Sequence, residues 1–462
     1  GSNAGSSLTS GSGNVLLGTD SGSSITSESG NVFIGYQTGM NQNNQNGNIM
    51  IGNQAGKNAS SGSSNIILIG DNAGSNGTMD TSIFIGKNAG SKLNGDHNIA
   101  IGFESLQNQT GNAGSAEGNV FIGPHSGRVL SSGSRSVAIG GGLSNNTLGV
   151  LGVLGSITTQ NDNTAIGYLA GKVAVSNENT FVGSQSGYNI NSGGSNTLVG
   201  FQTGYNSTTG QKNVLLGSQA GYSSTISGEN TFIGYQAGYS TNTQSKSVAI
   251  GSQSGFLNTS EGIVSIGYRA GYSNRLAPYN LFIGYESGGN ITKVLTGDRN
   301  VFLGYRAGYS AEGIATQNIL IGSESGSGLT TGSANIFIGD QSGSNIGSGS
   351  RNVFIGPDSI GQNANNTNDN IFIGSGAGKS NQIGERNLLI GTEAGTNSKA
   401  SDNICFGTES GKLMENGQQN IYLGNNAGYN NQNGDSNICI GYLSGRSTLG
   451  SNYSNAILIG SE

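Results

Sequence analysis

Few side chains in this chain of 462 residues are suited to bond-making chemistry, and they do not gather. Its two histidines, His97 and His125, fall in different local contexts, and no His/Cys cluster has metal-ligand spacing. The calcium-binding nonapeptide and the EF-hand loop are both missing. Asp358 with a neighbouring acid is the kind of pair that glycoside hydrolysis uses, but isolated acids on variable loops are more simply read as solvated. Gly374-Ser375-Gly376-Ala377-Gly378 has the glycine density of a phosphate loop without the strand-to-helix context that such a loop needs. The expectation is therefore no catalytic residue, no metal ligand and no cofactor. The tyrosines do have an order, and it comes from the element that carries them.

That element is a short repeat. Asn31-Val32-Phe33-Ile34-Gly35-Tyr36-Gln37-Thr38-Gly39 recurs with variations about every 17 residues, in 26 copies counted by the glycine equivalent to Gly35, from Gly18 to Gly460. With Asn31 as position 1, positions 2 and 4 are mostly β-branched or Leu, and position 4 is Ile in 19 of 26 copies. Position 3 is mostly Phe, Leu or Ala, position 5 is Gly, position 8 is Ala, Ser or Thr, and position 9 is nearly always Gly. A run such as Val-Phe-Ile between Asn and Gly reads as a short buried strand, and two glycines in nine residues argue against a helix. Stacking such units builds an all-β parallel β-solenoid of about 26 turns. Asn at position 1 suits a ladder that bonds the same Asn one turn away. Cys405 and Cys439 share position 3 two turns apart, roughly 10 Å at strand spacing. They are expected to be buried free thiols, too distant for a disulfide.

Alternation along a strand sends positions 2 and 4 to one side and position 3 to the other. Because position 8 is small, positions 2 and 4 are expected to fill a thin turn. Position 3 is then expected to face other subunits, which makes Phe33, Phe84, Phe121, Phe181, Phe232, Phe282, Phe302, Phe337, Phe354 and Phe372 candidate packing residues at a threefold axis. Tyrosine concentrates at position 6 and at position 10, the latter as Tyr188, Tyr205, Tyr222, Tyr239, Tyr272, Tyr309 and Tyr429. The position-10 tyrosines read either as turn packing and interchain contact or, for the first six, as a stacking surface for sugars or other flat ligands.

Ser136-Val137-Ala138-Ile139-Gly140, Ser247-Val248-Ala249-Ile250-Gly251-Ser252-Gln253-Ser254 and Asn163-Thr164-Ala165-Ile166-Gly167-Tyr168-Leu169-Ala170 resemble the head repeats of YadA-like trimeric autotransporter adhesins. They also resemble the N-T-A-I-G-Y-Q-A repeats of phage and viral tail fibres. The resemblance implies a left-handed β-roll assembled as a homotrimer. The unit here is longer than the YadA type and bulkier at position 3.

Composition narrows the rest. Charged residues are 10% of the chain and the net charge is −6 with no basic stripe, which argues against nucleic acid. No apolar run reaches the length of a membrane helix. The domain reading is a vector remnant and cap over 1–10, repeats over 11–140, an apolar insertion over 141–160 that serves as lid, clasp or protrusion, and repeats over 161–462. The opening Gly1-Ser2-Asn3-Ala4, without a Met, and an end just after the repeat core Ile457-Leu458-Ile459-Gly460 read as an excised piece of a longer protein. The expected function is a structural and adhesive fibre segment at a cell surface or on a virion, with a host glycan or protein as receptor. Ice binding and a carbohydrate-active spike are the alternatives.

Overall fold

The computed structural model describes residues 1–43, 45–59, 64–107, 116–142, 152–240, 245–290, 292–359, 367–380, 384–446 and 452–461. The chain is an all-β parallel solenoid whose strands, β1 (Val15–Leu17) to β26 (Ile457–Ile459), are each three residues long. It divides into two compact units, Gly1–Phe232 and Ile233–Glu462. In the first, β1 to β12 (Val214–Leu216) pair in sequence order, parallel and in register, as Val15, Leu16 and Leu17 do with Val32, Phe33 and Ile34 of β2 (Val32–Ile34). In the second, β14 (Val248–Ile250) to β26 pair in the same way. Each residue therefore sits against its own repeat equivalent, and one good side chain makes a column.

The asparagine ladder is present. Asn335 Nδ2 donates to Asn318 Oδ1 at 3.0 Å, Asn352 Nδ2 to Asn335 Oδ1 at 3.0 Å, and Asn370 Nδ2 to Asn352 Oδ1 at 3.3 Å. Each Oδ1 also accepts the backbone N–H of the next Asn, and each Nδ2 also reaches a loop carbonyl of the next turn. A buried corner thereby satisfies its own polar groups. Position 8 adds a second row of bonds, in which Ser325 Oγ donates to the Phe337 carbonyl and Ser342 Oγ to the Phe354 carbonyl, both at 3.1 Å.

The strand faces are the reverse of the expectation. All ten position-3 phenylalanines named above are fully buried within their own chain. They lie inside the turn and cannot pack at an axis between subunits. The reason is at position 9. A Cβ on Gly343 would lie 2.5 Å from the Phe337 ring, and one on Gly90 2.4 Å from the Phe84 ring. Glycine there leaves the space that the ring of its own turn fills. At two of the four copies with Ala at position 3, position 9 compensates: Leu106 is buried in the turn of Ala100 and Leu154 in that of Ala138, whereas the turns of Ala165 and Ala249 keep Gly171 and Gly255. Position 5 is the stricter glycine. At Gly339, φ is +137° and a Cβ would meet the Gly356 carbonyl at 2.6 Å, so two independent reasons exclude a side chain.

Two stretches named above have a definite place in the repeat. Residues 1–10 take the loop half of a repeat: Gly5 N donates to the Ser21 carbonyl at 2.9 Å, as Gly22 N does to Thr38. Gly1-Ser2-Asn3-Ala4-Gly5 aligns with Gly18-Thr19-Asp20-Ser21-Gly22, so these residues occupy repeat positions 5 to 9. Within the insertion, residues 143–151 lie outside the described residues. Val153 and Leu154 are buried and rejoin the solenoid as positions 8 and 9, with Gly127 N donating to the Val153 carbonyl and Leu154 N to the Ala170 carbonyl, both at 3.1 Å.

Candidate functional site

With position 3 inside, the strands turn positions 2 and 4 outward. These two columns are aliphatic at nearly every strand, interrupted at position 2 by Thr164, Thr180, Thr197 and Thr231 and at position 4 by Phe406. They are only partly covered: Ile338 and Ile355 are each 36% exposed and Ile371 is 41% exposed. Within each unit the result is a flat apolar strip, two side chains wide, repeating at the strand pitch.

A second surface is formed by positions 6, 7 and 10. Tyr188, Tyr205 and Tyr222 stack with ring centroids 4.8 and 5.2 Å apart and planes within 10°. Lys172 closes the outer end of this stack, its Nζ 4.7 Å from the Tyr188 ring centroid and donating to the Tyr188 hydroxyl at 2.7 Å. Burial, helped by the flanking phenols, raises the Tyr205 pKa and keeps that phenol protonated. In the second unit, Tyr239 and Tyr272 are joined by Phe256 at 4.9 and 5.0 Å. Phe256 was missed because only tyrosines were sought, yet it too stands five residues after a position-5 glycine, Gly251. Tyr309 has the Arg306 guanidinium 5.1 Å from its ring. A third stack, Tyr268, Tyr285 and Tyr305 at position 6, runs beside it with 5.1 and 5.5 Å spacings.

This geometry limits what the tyrosines offer. Inside a stack both ring faces are spent on neighbours, so the column presents edges and hydroxyls. Position 7 alongside is a polar ladder, in which Gln202 Nε2 donates to Gln185 Oε1 at 2.9 Å, Arg269 Nε to Gln253 Oε1 at 2.9 Å, and Arg306 Nε to Glu286 Oε2 at 2.8 Å. The Glu286 hydrogen bond raises the Arg306 pKa further.

The residues suited to catalysis are engaged in the scaffold. Asp358 pairs with Lys379 at 3.4 Å. His125 is buried against Phe103 with Nδ1 3.3 Å from Glu104, whose carboxylate also meets Arg128 at 3.2 Å. Burial lowers the His125 pKa, and Glu104 opposes the shift. Cys405 and Cys439 are free and buried, as expected, and burial pushes the Cys405 thiol up to about 12. Among the described residues no group of three or more His, Cys, Asp or Glu is placed to hold a metal, and no helix is long and apolar enough to cross a membrane.

Sequence reading also missed position 12, seven residues after the position-5 glycine. Ile25, Leu93, Leu130, Ile190, Leu329, Ile346 and Met414 are buried there and form a second interior column. Their fixed offset from glycine was the available signal.

Fold and surface together define a β-solenoid repeat protein with one apolar strand face and one aromatic, polar turn face. No protein-family model matches the chain, and no curated protein matches it.

Proposed function

We propose that this chain is a segment of a multi-chain structural and adhesive fibre, homotrimeric, whose subunits meet through the outward columns at positions 2 and 4. The observation that carries the reading is the apolar strip on each unit, broken at position 2 only by four threonines of the first unit. Monomeric soluble proteins rarely leave so long an apolar patch open. Covering the remaining surface of each Ile or Val contributes roughly 0.5–1 kcal/mol, so a modest number of strands offsets the ~4–15 kcal/mol cost of association. A partner has to match the strip's period at every strand, and another copy of this chain does so by construction. Symmetric closure then covers every layer equally. The turn face is then left to meet a host-surface glycan or protein in an extracellular setting. The acids and thiols held in scaffold contacts support a non-catalytic role.

Sedimentation equilibrium tests this directly. The expected mass is three times 46.6 kDa. Ile338→Glu combined with Ile355→Glu is expected to yield a folded monomer or a weakened trimer. A parent chain that sediments as a monomer sinks the proposal.

One observation favours a second reading, ice binding. Thr164, Thr180 and Thr197 stack in register at position 2. The column is short and aliphatic residues follow it, so subunit contact is the better account. Thermal hysteresis in solution would reverse that order.

A further inference from the structure

Fourteen of the 17 tyrosines stand in two columns, position 6 and position 10. In both units some of them stack on consecutive turns: Tyr188 with Tyr205 at 4.8 Å and Tyr205 with Tyr222 at 5.2 Å, Tyr268 with Tyr285 at 5.1 Å and Tyr285 with Tyr305 at 5.5 Å. The backbone fastens each pair. The Tyr205 carbonyl accepts the Asn189 N–H at 3.1 Å, and the Tyr222 carbonyl the Asn206 N–H at 2.9 Å. In the other column the Tyr268 carbonyl accepts the Glu286 N–H at 2.8 Å, and the Tyr285 carbonyl the Arg306 N–H at 2.9 Å. The rings are thus held side by side with their edges at the surface, and Tyr285 and Tyr305 are 45% and 44% exposed.

Little else on the surface competes for an oxidant. The chain has no tryptophan, and its two thiols, Cys405 and Cys439, are free but buried. Met50, Met79 and Met414, three of the four methionines, are buried as well. Tyrosine is the side chain left outside that readily gives up one electron. A phenol that does so also loses its proton, and the phenoxyl radical carries unpaired spin on the ring carbons beside the oxygen. In the stacks, the neighbouring ring of the same kind stands one turn away.

We propose that these stacked pairs are oxidative cross-linking sites, at which a peroxidase using hydrogen peroxide joins tyrosines of adjacent turns as dityrosine. Each phenol of a pair loses one electron and one proton. The two radicals then form a carbon–carbon bond between the ring positions beside their hydroxyls, and each of those carbons passes its hydrogen to its own oxygen, which restores both phenols. The peroxide O–O bond breaks as it takes up the two electrons and two protons, leaving two waters. A bond of about 1.5 Å requires the ring edges to swing together from the stacking distance, a fast side-chain motion at an exposed site. Each link closes a loop of about one repeat, and so ties two turns that otherwise meet through hydrogen bonds and packing. A solenoid's turns contact only their neighbours, which makes a turn-to-turn staple the link that resists peeling. The inference rests on the fibre reading for its extracellular setting and on the stacks alone for its chemistry.

Treating the full chain at high dilution with a haem peroxidase and hydrogen peroxide, then digesting it and identifying linked peptides by mass spectrometry, tests the proposal. The expected product runs as a single chain on a denaturing gel, is lighter by two hydrogen atoms per link, and carries links at Tyr188–Tyr205 or Tyr205–Tyr222 and at Tyr268–Tyr285 or Tyr285–Tyr305. Tyr36 and Tyr442 distinguish stacking from mere exposure. They are 49% and 58% exposed, yet no tyrosine stands at position 6 on the turn before or after either, and they are expected to stay unlinked. Tyr285→Phe keeps a ring in the stack and is expected to abolish the links of its column while leaving those of Tyr205 unchanged. Phe256→Tyr is expected to gain a link to Tyr239 or Tyr272, whose rings stack on it at 4.9 and 5.0 Å. Absence of dityrosine at the stacked pairs overturns the proposal, and so does linking of Tyr36 and Tyr442 in equal yield or linking mainly between chains. Sedimentation separates this from the fibre reading: a trimer whose stacked tyrosines do not couple sinks only the cross-link, and a monomer whose tyrosines couple sinks only the fibre.

Discussion

Two stretches of the second unit build the same turn from different materials. In residues 318–387 the interior holds Phe337, Phe354 and Phe372 stacked at 4.8 and 5.0 Å, and the corner is a continuous asparagine ladder. In residues 247–280 position 3 is Ala249 and Ser265, and position 1 is Ser247 and Ile263. There the asparagines have moved inside, to position 12. Asn274 Nδ2 donates to Asn258 Oδ1 at 3.3 Å, and Asn280, where Asn returns to position 1, donates from Nδ2 to Asn274 Oδ1 at 2.9 Å. The trade is of volume for hydrogen bonding: small residues at position 3 leave room for polar side chains that do the stitching the corner has given up. The turn's shape is thus set by what both stretches keep, the glycine at position 5 and the register of the strands, and its interior is negotiable.

Substituting that shared glycine is the strongest way to break the comparison. Gly339→Ala in the phenylalanine stretch and Gly251→Ala in the polar one meet the next turn's carbonyl at the same 2.6 Å, with φ of +137° and +127°. Backbone strain and overlap together are expected to cost about 5 kcal/mol locally in both. Native-state hydrogen exchange reads this turn by turn, and tolerance in only one stretch would mean that the frame is not shared. Phe354→Ala comes next, at about 4 kcal/mol for the cavity, measured by urea unfolding. A loss near 1 kcal/mol would mean that the stack collapses around the gap as the polar stretch does.

Smaller effects sharpen the contrast. Asn352→Ala leaves the Asn370 N–H and the Thr367 carbonyl without their bonds, and is expected to cost about 2 kcal/mol. Ser247→Ala, which removes a hydroxyl that accepts the Ile263 N–H at 3.2 Å and donates to the Ser245 carbonyl at 3.4 Å, should cost less by the same urea measurement. Ser265→Ala has the opposite sign. The Ser265 hydroxyl is buried without a partner, so its removal is expected to stabilise by about 1 kcal/mol. Destabilisation on that scale would show that the hydroxyl has a partner in solution, such as a water.

The repeat, the three-residue strands, the ladder and the buried thiols were all legible in the sequence, because each follows from spacing or from an obligatory backbone requirement. The orientation of the strands was not. Val353, Phe354 and Ile355 are apolar on both faces, so alternation separates the faces without saying which is inside. The deciding information lay in pairs of positions: Phe337 needs the void at Gly343, and Ala100 is matched by Leu106.

The least effect expected is electrostatic, and it falls on one stretch only. Arg351 donates to both oxygens of Asp369 at 2.6 and 2.8 Å, and Arg386 to both of Asp402 at 2.7 and 2.9 Å. These hydrogen bonds lower the pKa of both aspartates in the folded chain. A lowered carboxylate pKa contributes stability that is full above the unfolded value, about 3.9, and is lost as pH falls through the folded value. Acidification below about pH 4 is therefore expected to loosen residues 351–402 first. Residues 247–280 have no arginine–carboxylate pair among the described residues, so they should hold. The pairs are exposed, which keeps the effect small and sensitive to salt. Hydrogen exchange compared at pH 5 and pH 3 (about one unit either side of the ordinary carboxylate value) reads the difference, and Arg351→Gln with Arg386→Gln should erase it. If the double variant keeps the same acid response, these ladders contribute nothing to the turns, and the interior alone distinguishes the two stretches.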